Sequence, residues 1–298
     1  MSLLVVGSVA FDTIETPHGK RERIAGGSCV HFSYSAAYLT PVKMIGVVGK
    51  DYPKEFIDLL NERGIDTSGI EHTDGETFFW SGKYEGDMNE AETLETRLNV
   101  FGDFRPKVEG EDKDAKFVFL ANGHPLTQLS LLEQLNNPTL VIADTMDLWI
   151  REFRPDLEKL LNKIDALVLN DGEARLLTGE RSMIRAARKL LAAHELKLII
   201  IKKGEHGSLA VTPDFVIATP AYPTEAVIDP TGAGDSFAGG TLGYLSLCGE
   251  LNQGTLRRAI RYGTVCASFQ VEDFSLDRHK GLTRADIERR LIDFEHML

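Results

Sequence analysis

Short apolar runs recur along the chain, separated by stretches with the spacing of amphipathic helices. Six runs have the length of strands and are almost continuously apolar: Leu3–Val6, Met44–Val48, Phe117–Leu120, Leu140–Ala143, Ala166–Leu169 and Leu198–Ile201. Such runs are typical of strands covered on both faces, as in a parallel sheet. Helical patterns occupy residues 51–63, 182–193 and 256–269. The alternation predicts an α/β fold, a doubly wound and mostly parallel sheet with helices on both faces.

Two segments interrupt this alternation, because they are polar and rich in Thr, Gly and aromatic residues: residues 13–27 and 72–105. Within the second, residues 77–84 and 94–101 have the composition and alternation of strands. We therefore predict a small β-sheet lid formed by 13–27 and 72–105. The main domain then comprises residues 1–12, 28–71 and 106–298. Surface hairpins without a function are the alternative interpretation.

Composition and charge narrow the class of protein. The 298 residues are 43% hydrophobic and carry a formal net charge of −12, from 33 basic and 45 acidic side chains. This balance argues against a nucleic acid polymer as partner, although a local pocket is still able to bind a small anion. No apolar run approaches the roughly 18 residues of a membrane span, and the first residues lack the basic region of a signal peptide. Three sparse cysteines do not form a disulfide framework, so we expect a cytoplasmic protein without a membrane partner.

The most informative segment covers residues 229–240, D-P-T-G-A-G-D-S-F-A-G-G. It follows a β-like run at 226–228 and opens a helical pattern from residue 233 to about residue 247. N–H groups at a helix N-terminus are unpaired donors at the positive end of the helix dipole. The small residues Gly232, Ala233 and Gly234 therefore let an anion approach these amides.

Asp235 would lie in the first turn of that helix. Its carboxylate would repel a simple anion, but it is suited to take a proton from a hydroxyl that attacks a group held by the amides. A first-turn acid that merely stabilises the helix is the alternative. Gly239, Gly240 and Gly243 follow inside the helix, each at a cost of about 1 kcal/mol against Ala. This cost indicates close packing or close approach of a ligand.

These residues resemble the ribokinase-type (PfkB) family of carbohydrate kinases, whose C-terminal signature is similar to residues 229–237. The resemblance covers essentially the whole chain. Further matching segments are V-V-G-S-V-A-F-D (5–12), A-G-G (25–27), L-N-D-G-E (169–173) and K-K-G-E-H-G (202–207). It implies a ribokinase-like fold with a β-sheet lid, and transfer of the γ-phosphoryl group of ATP to an alcohol.

The resemblance assigns roles to residues at the reaction centre. Asp235 would activate the acceptor hydroxyl, and the amides of Gly232, Ala233 and Gly234 would hold the γ-phosphoryl group in the transition state. Asp12 matches the acid that binds substrate hydroxyls, and a carboxylate accepts two hydrogen bonds from a diol. An aspartate that makes a turn at a strand end is the alternative for this position.

Other matching positions depart from the family pattern on the acceptor side. After Gly26 and Gly27, the family usually has an Asn that contacts sugar hydroxyls, where this chain has His31. A Glu that contacts sugar in ribokinases is replaced within residues 120–123, and we assign its place to Asn122. Ala10 stands where ribokinases often have Asn. These changes argue against free ribose as the acceptor.

On the nucleotide side, Asn170 and Glu173 match a motif whose Glu places Mg²⁺ near the ATP phosphates through water. The same two residues are typical of a helix N-terminus, and the two interpretations are compatible. Gly204 and Gly207 match a nucleotide-binding turn. Lys202, where the family often has Thr, either reaches a phosphate or is a solvated surface charge. Asp229 and Thr231, finally, match positions that bind a monovalent cation such as K⁺ in part of the family.

The lid segment also carries Phe78, Phe79 and Trp80. Aromatic rings of this kind stack on nucleobases, or else form the lid core or a homodimer interface. The hypothesis is an ATP- and Mg²⁺-dependent kinase that acts on a sugar or, in slight preference, on a nucleoside. A non-catalytic sensor of nucleotide or sugar and a kinase of a non-sugar alcohol such as a hydroxymethyl-pyrimidine are the alternatives.

Overall fold

The computed structural model describes residues 3–89 and 91–298, which form strands and helices in alternation. The strands are β1 (Leu3–Val6), β2 (Ala10–Thr16), β3 (Gly19–Gly26), β4 (Val42–Gly49), β5 (Ile65–Thr73), β6 (Phe78–Tyr84), β7 (Ala91–Arg97), β8 (Phe117–Leu120), β9 (Leu140–Asp144), β10 (Ala166–Asn170), β11 (Leu198–Lys202), β12 (Ser208–Val211) and β13 (Val216–Thr219). The helices are α1 (Ser28–Ala36), α2 (Lys54–Glu62), α3 (Pro125–Leu132), α4 (Asp147–Glu152), α5 (Arg154–Leu161), α6 (Asp171–Thr178), α7 (Met183–His194), α8 (Ala233–Cys248), α9 (Gln253–Gln270), α10 (Asp277–Lys280) and α11 (Arg284–Met297).

The main sheet of the described residues has nine strands in the order β13-β12-β11-β10-β9-β8-β1-β4-β5. The strands from β11 to β5 are parallel to one another, and β12 and β13 add an antiparallel edge. All six strands predicted from apolar runs are present, and four of them extend by one or two residues at an end. The prediction of a mostly parallel α/β sheet is therefore confirmed.

Both faces of the main sheet are covered, which explains why its strands are continuously apolar. On β1, Leu3 and Val5 pack into one core cluster with side chains of α1, α8 and α9, while Leu4 and Val6 pack into another with side chains of α5 and α7. Successive residues of a strand point to opposite faces, so a strand between two helical layers has no position for a polar residue. The doubly wound arrangement follows from this pattern.

A second sheet, with the order β3-β2-β6-β7, lies outside the main one. Strands β2 and β6 pair in parallel, and the other two pairs are antiparallel. The sheet begins at Ala10, so Asp12, which the sequence boundary placed in the main domain, belongs to β2. The strand prediction for residues 94–101 is wrong at its end. Asn99 takes a φ of 46° and its side chain donates to the Thr77 carbonyl, and residues 99–101 form a 3₁₀ turn.

Helix α8 carries the glycines noted in the sequence, and packing explains them. A Cβ on Gly239 would lie 2.3 Å from the Phe32 carbonyl oxygen of α1, and one on Gly240 would lie 2.8 Å from the Tyr262 carbonyl oxygen of α9. Interiors packed this densely leave no room for an added carbon. The β-like run at 226–228 is not a strand. It is a connecting segment held by the Ile228 N–H, which donates to the Val271 carbonyl at 2.7 Å.

Within the described residues, no helix combines the length and hydropathy needed to cross a bilayer.

Candidate active site

Polar side chains collect at the carboxyl ends of the parallel strands. Asn122 follows β8, while Asp144, Asn170 and Lys202 are the last residues of β9, β10 and β11. The strand order reverses between β8 and β1, where the chain departs in opposite directions along the sheet. A crevice forms outside the carboxyl ends of strands at such a point, and ligands of α/β sheets bind there.

The N-terminus of α8 points into this crevice. Its cap residue Gly232 has a φ of 73°, a left-handed conformation that favours glycine. The Ala233 N–H donates to the Pro230 carbonyl at 3.1 Å, so the turn uses one of the three amides proposed from the sequence. The amides of Gly232 and Gly234 have no acceptor among the described residues. Two of the three proposed amides thus remain open donors at the positive end of the helix.

Asp235 lies beside these amides, partly exposed to the crevice but enclosed by protein. Burial, together with the like charge of Asp144, raises the pKa of its carboxyl to about 7, against the opposing attraction of Lys202 and His31. A carboxyl whose pKa lies near neutral is matched to proton transfer at neutral pH.

A cavity of about 550 Å³ opens in front of Asp235. Its polar lining includes the predicted substrate residues Asp12, Gly27, His31 and Asn122. Gly26 lies beside the cavity. A Cβ on this residue would lie 2.1 Å from the carboxylate of Asp12, which lines the cavity. The structure therefore brings together the acceptor-side residues proposed from the sequence, from β2, α1 and the end of β8.

His31 occupies the floor between the cavity and α8. A Cβ on Gly232 would lie 2.4 Å from its ring, so the imidazole fills the space beneath the helix N-terminus. The ring is 2% exposed, and neither nitrogen has a hydrogen-bond partner among the described residues. Its Nε2 is 4.0 Å from the Asp12 carboxylate, too long for a direct bond. Burial lowers the pKa of His31, but the carboxylates of Asp12, Asp235 and Asp229 outweigh burial and raise it above its ordinary value.

Aromatic side chains line part of the cavity. Phe78, Trp80 and Tyr84 face it from β6, and Trp149 faces it from α4. Phe79 does not line the cavity, because alternate residues of a strand point to opposite faces, and it stacks under the Arg97 guanidinium instead. Residues Tyr84 and Trp149 were not singled out from the sequence. No local motif marks them, since only the fold brings them to the cavity.

Asn122 is held by its neighbours at the cavity wall. Its Oδ1 accepts from the Trp149 Nε1–H at 2.8 Å, and its Nδ2 donates to the Met146 sulfur at 3.2 Å. The amide is therefore oriented in advance by two residues of the β9–α4 region. A polar group fixed in this way among aromatic rings is suited to recognise one edge of a planar ligand.

On the other side of α8, Asn170 and Glu173 form a capping box at the start of α6, as their helix-start interpretation predicts. Glu173 Oε2 accepts from the Asn170 N–H at 2.7 Å, while Oε1 accepts no hydrogen bond within the described residues. Burial raises the pKa of Glu173 to about 8, and Lys202 opposes this shift. A buried carboxyl of this kind gains strongly from a divalent cation, so the residue fits Mg²⁺ that is also held by phosphate and water.

Lys202 is neither free nor at the surface. Its Nζ is 3.0 Å from Asp144 Oδ2, and the two side chains are 18% and 5% exposed. Asp144 was missed in the sequence, although it follows an apolar strand directly, as the other site residues do. The turn after Lys202 is built on glycines, since a Cβ on Gly207 would lie 2.1 Å from the Thr219 carbonyl oxygen. Gly204 has a φ of 52° and faces Asn89, which lies beyond the end of β6.

Asp229 and Thr231 shape the loop before α8. The fully buried Asp229 carboxylate accepts from the backbone N–H groups of Thr231 and Ser275, at 2.9 and 3.2 Å. The Thr231 hydroxyl donates to the Tyr84 hydroxyl at 3.3 Å. These contacts hold the loop against the second sheet. The role of the two residues as ligands of a monovalent cation stays a prediction.

Comparisons with known proteins identify the family and the fold of the chain. Residues 2–278 match the sequence family described as "pfkB family carbohydrate kinase". A cytidine kinase of Thermococcus kodakarensis is 31% identical over 252 residues, which cover 82% of this chain and 88% of that protein.

Solved structures share the fold at lower identity. The nucleoside kinase of Methanocaldococcus jannaschii superimposes with a TM-score of 0.77 at 22% identity and covers 98% of this chain and 99% of that one. A double mutant of fructokinase from Vibrio cholerae O395, solved with fructose, ADP and a potassium ion, has a TM-score of 0.81 at 19% identity over 98% of both chains. With the sequence match over nearly its whole length, the chain belongs to the pfkB family of carbohydrate kinases and is a phosphotransferase.

Proposed function

We propose that the protein transfers the γ-phosphoryl group of ATP to a ribose hydroxyl of a nucleoside. The observation that supports this most is the position of Asp235, between two open backbone amides and a cavity walled by aromatic side chains. A base beside an anion-binding helix N-terminus suits phosphoryl transfer to an alcohol. The aromatic wall suits a nucleobase attached to that alcohol.

In the proposed reaction, Asp235 takes the proton of the acceptor hydroxyl as its oxygen bonds to the γ-phosphorus. The bond from that phosphorus to the β,γ-bridging oxygen breaks, and ADP leaves with the electron pair. The amides of Gly232 and Gly234 donate to the oxygens of the transferred group, where negative charge is stabilised by preorganised donors. Bound Mg²⁺, held by Glu173 and water, would neutralise phosphate charge.

Asp12 and His31 orient the acceptor in this proposal. The Asp12 carboxylate accepts hydrogen bonds from two ribose hydroxyls, while the His31 ring keeps that carboxylate and Asp235 from repelling each other. Burial lowers the pKa of His31, but Asp12 and Asp235 outweigh burial and raise it, and this attraction between the ring and the two carboxylates supports the arrangement. The second sheet covers the acceptor, so that water does not compete for the phosphoryl group.

A nucleoside is favoured over a free sugar by three observations. Phe78, Trp80 and Trp149 form more apolar wall than a sugar ring alone would contact. A relative that is similar over most of this chain is a cytidine kinase. Asn122 offers the oriented amide that a base edge requires. We therefore propose cytidine as the first acceptor to test.

Two further features remain part of the proposal. K⁺ binding beside Asp229 and Thr231 would appear as activation by K⁺ over Na⁺.

A homodimer through the second sheet would use β7, whose seven residues are all exposed and whose outer edge is unpaired within the described residues. Sedimentation of the intact protein tests whether this dimer forms.

The first experiment measures ADP release from Mg-ATP over a panel of nucleosides, sugars and hydroxymethyl-pyrimidines. We expect turnover with a pyrimidine nucleoside, and a loss of about 10²-fold or more in Asp235→Asn, because a general base contributes at least this much. The control is Asp277→Asn, a half-exposed carboxylate paired with Lys280 on α10. ATP binding without turnover on any acceptor would contradict the proposal and favour a sensor. Turnover with a sugar alone would contradict the nucleoside assignment.

A further inference from the structure

The ion pair between Lys202 and Asp144 lies at the nucleotide side of α8, and the family resemblance gave no role to Asp144. The pair joins the last residues of β9 and β11, which lie on either side of β10 in the sheet. Lys202 Nζ is 3.0 Å from Asp144 Oδ2, and both side chains are largely buried. Burying two charges costs free energy that their attraction repays only with good geometry and further hydrogen bonds. Folding stability alone therefore does not explain why this ion pair is buried.

The position of the ammonium supplies that reason. A Cβ on Gly234 would lie 3.0 Å from Lys202 Nζ, so the ammonium touches the space directly over the first turn of α8. The Gly234 amide is one of the open donors of that turn. An anion that accepts from this amide would contact the ammonium as well. Lys202 and the helix N-terminus thus converge on one small volume.

Asp144 is itself held rigidly. Its Oδ1 accepts from the Thr145 N–H at 2.8 Å, which leaves Oδ2 for Lys202. Its carbonyl accepts from the Gln128 Nε2–H at 3.1 Å, and the same amide donates to the carbonyls of Leu120 and Ala121 at the end of β8. Gln128 is 2% exposed. One buried side chain therefore fixes the two strand ends from which Asp144 projects.

We propose that Asp144 is a positioning residue, which holds the Lys202 ammonium over the N-terminus of α8 so that it contacts the phosphoryl group in transfer. The inference rests on the proposed function, and it deepens the phosphate side of the same site. Lys202 touches the reacting group, and Asp144 acts through Lys202. The arrangement keeps a cation in place in a protein whose net charge of −12 would otherwise repel ATP.

The same pair sets the charge around Asp235. The charged groups that face Asp235 are Asp144 on β9, Lys202 on β11, His31 on α1 and Asp12 on β2. Asp144 raises the pKa of Asp235, and Lys202 lowers it. Removing one or the other therefore shifts the acidic limb of the rate profile in opposite directions. Opposite shifts follow from the two opposite charges, so they would show that both members of the pair lie close to Asp235.

The test uses Lys202→Met, Asp144→Asn and the double variant. Binding of a non-hydrolysable ATP analogue with Mg²⁺ is measured by calorimetry, and kcat is measured against pH. We expect Lys202→Met to weaken analogue binding by about 10- to 100-fold, the range for a hydrogen bond to a charged group. We expect the acidic limb of kcat to move to higher pH in Lys202→Met and to lower pH in Asp144→Asn.

The double variant separates positioning from a direct effect. Because Asp144 acts through Lys202, Asp144→Asn should weaken analogue binding in the wild-type background, and in the Lys202→Met background this weakening should be absent or reversed. Lys202→Arg keeps the charge and checks that the site tolerates substitution. The control is Lys197→Met, which removes a lysine paired with Asp165 at the opposite end of the strand.

Three results would overturn the inference: unchanged analogue binding in Lys202→Met, equal weakening by Asp144→Asn in both backgrounds, or limbs that move in the same direction. Analogue binding needs no acceptor, so it is informative even when no acceptor is turned over. Absence of turnover by the wild-type protein would contradict the proposed function, whereas these three results contradict only the role of Asp144 and Lys202.

Discussion

Asp235 carries a conflict between stability and function. Its carboxyl is surrounded by protein and lies near Asp144, and its pKa is raised to about 7. The ordinary value is 3.8, so the unfolded chain releases this proton at a lower pH than the folded protein does. Between those two values the folded state binds more protons, and stability falls as the pH rises. Above about pH 7 the full cost of the charged carboxylate is present. The proposed base is thus kept at some expense of folding free energy.

We therefore expect Asp235→Asn to be more stable than the wild-type protein at high pH, while it loses activity. The gain in the free energy of unfolding should be small near pH 4 and reach on the order of 1–2 kcal/mol near pH 8, discounted for the partial exposure of the group. Denaturant unfolding at several pH values measures it. Asp277→Asn serves as the control and should show no such rise with pH. A stability difference that shrinks as pH rises would contradict the raised pKa.

The positions of site residues were predictable where the residue stands within a specific motif. Asp235 and the glycines before it lie in one continuous segment, so their order along the chain already places them at a helix N-terminus. His31 and Asp12 were named from the resemblance, and the structure brings both to the cavity. Asp144 has no motif of its own, and its partner Lys202 is 58 residues away. Such a pair is visible only after β9 and β11 are placed in one sheet.

At the scale of elements, α8 has two roles, one along its length and one at its N-terminus. Its glycines let α1 and α9 approach closely, and its N-terminus presents open amides. Glycines end it on both sides, Gly232 before it and Gly249 after it, with φ values of 73° and 75°. The two positions share a backbone conformation but differ in their surroundings. Nothing lies within 4 Å of a Cβ on Gly249, whereas one on Gly232 meets the His31 ring.

This pair allows a matched test of the helix N-terminus. Gly249→Ala should cost about 1 kcal/mol of unfolding free energy, the price of a left-handed conformation for Ala, and leave kcat unchanged. Gly232→Ala should carry the same cost plus displacement of His31, and lower kcat at least about tenfold, because the amides and the ring move together. Thermal unfolding and steady-state kinetics measure both. Equal kinetics in the two variants would show that His31 does not need its place beneath the helix.

Elements were predicted well where one face or both faces of a segment are apolar over several residues. The six strand runs and the helices near 51–63, 182–193 and 256–269 are present. The observed ends of elements differ from the predicted ends where one side chain interrupts the apolar pattern. Asn99 is an example, because it turns the chain after β7. The run at 226–228 resembles a strand in composition, but it has no neighbouring strand to pair with, and apolar composition alone does not supply one.

At the scale of the whole molecule, the second sheet reaches both sides of the site. Tyr84 of β6 contacts Thr231 before α8, and Asn89, beyond the end of β6, donates to Glu205 in the turn after β11 at 3.4 Å. The acceptor and nucleotide sides therefore share one cover. A cover that orders on binding one ligand is already ordered for the other, which makes their binding mutually favourable.

We expect an acceptor nucleoside to tighten binding of the non-hydrolysable ATP analogue by about fivefold or more. In Glu205→Ala this tightening should fall, because the contact from the cover to the nucleotide turn is lost. Calorimetry with and without the nucleoside measures the coupling. Glu250→Ala, an exposed acid outside the site, is the control. Identical coupling in Glu205→Ala and the wild-type protein would show that the contact transmits nothing.

The amino-acid sequence by itself determined the layers of this protein, because continuous apolar runs require cover on both faces and amphipathic segments supply it. It also determined the chemistry of the α8 N-terminus, since Gly232 to Asp235 are consecutive and act through their local backbone. Only the tertiary structure decided which distant side chains complete the site. Asp144 with Lys202, Trp149 with Asn122 and Tyr84 with Thr231 meet because strand order and the second sheet bring them together, and no local pattern encodes the distance between residues far apart in the chain.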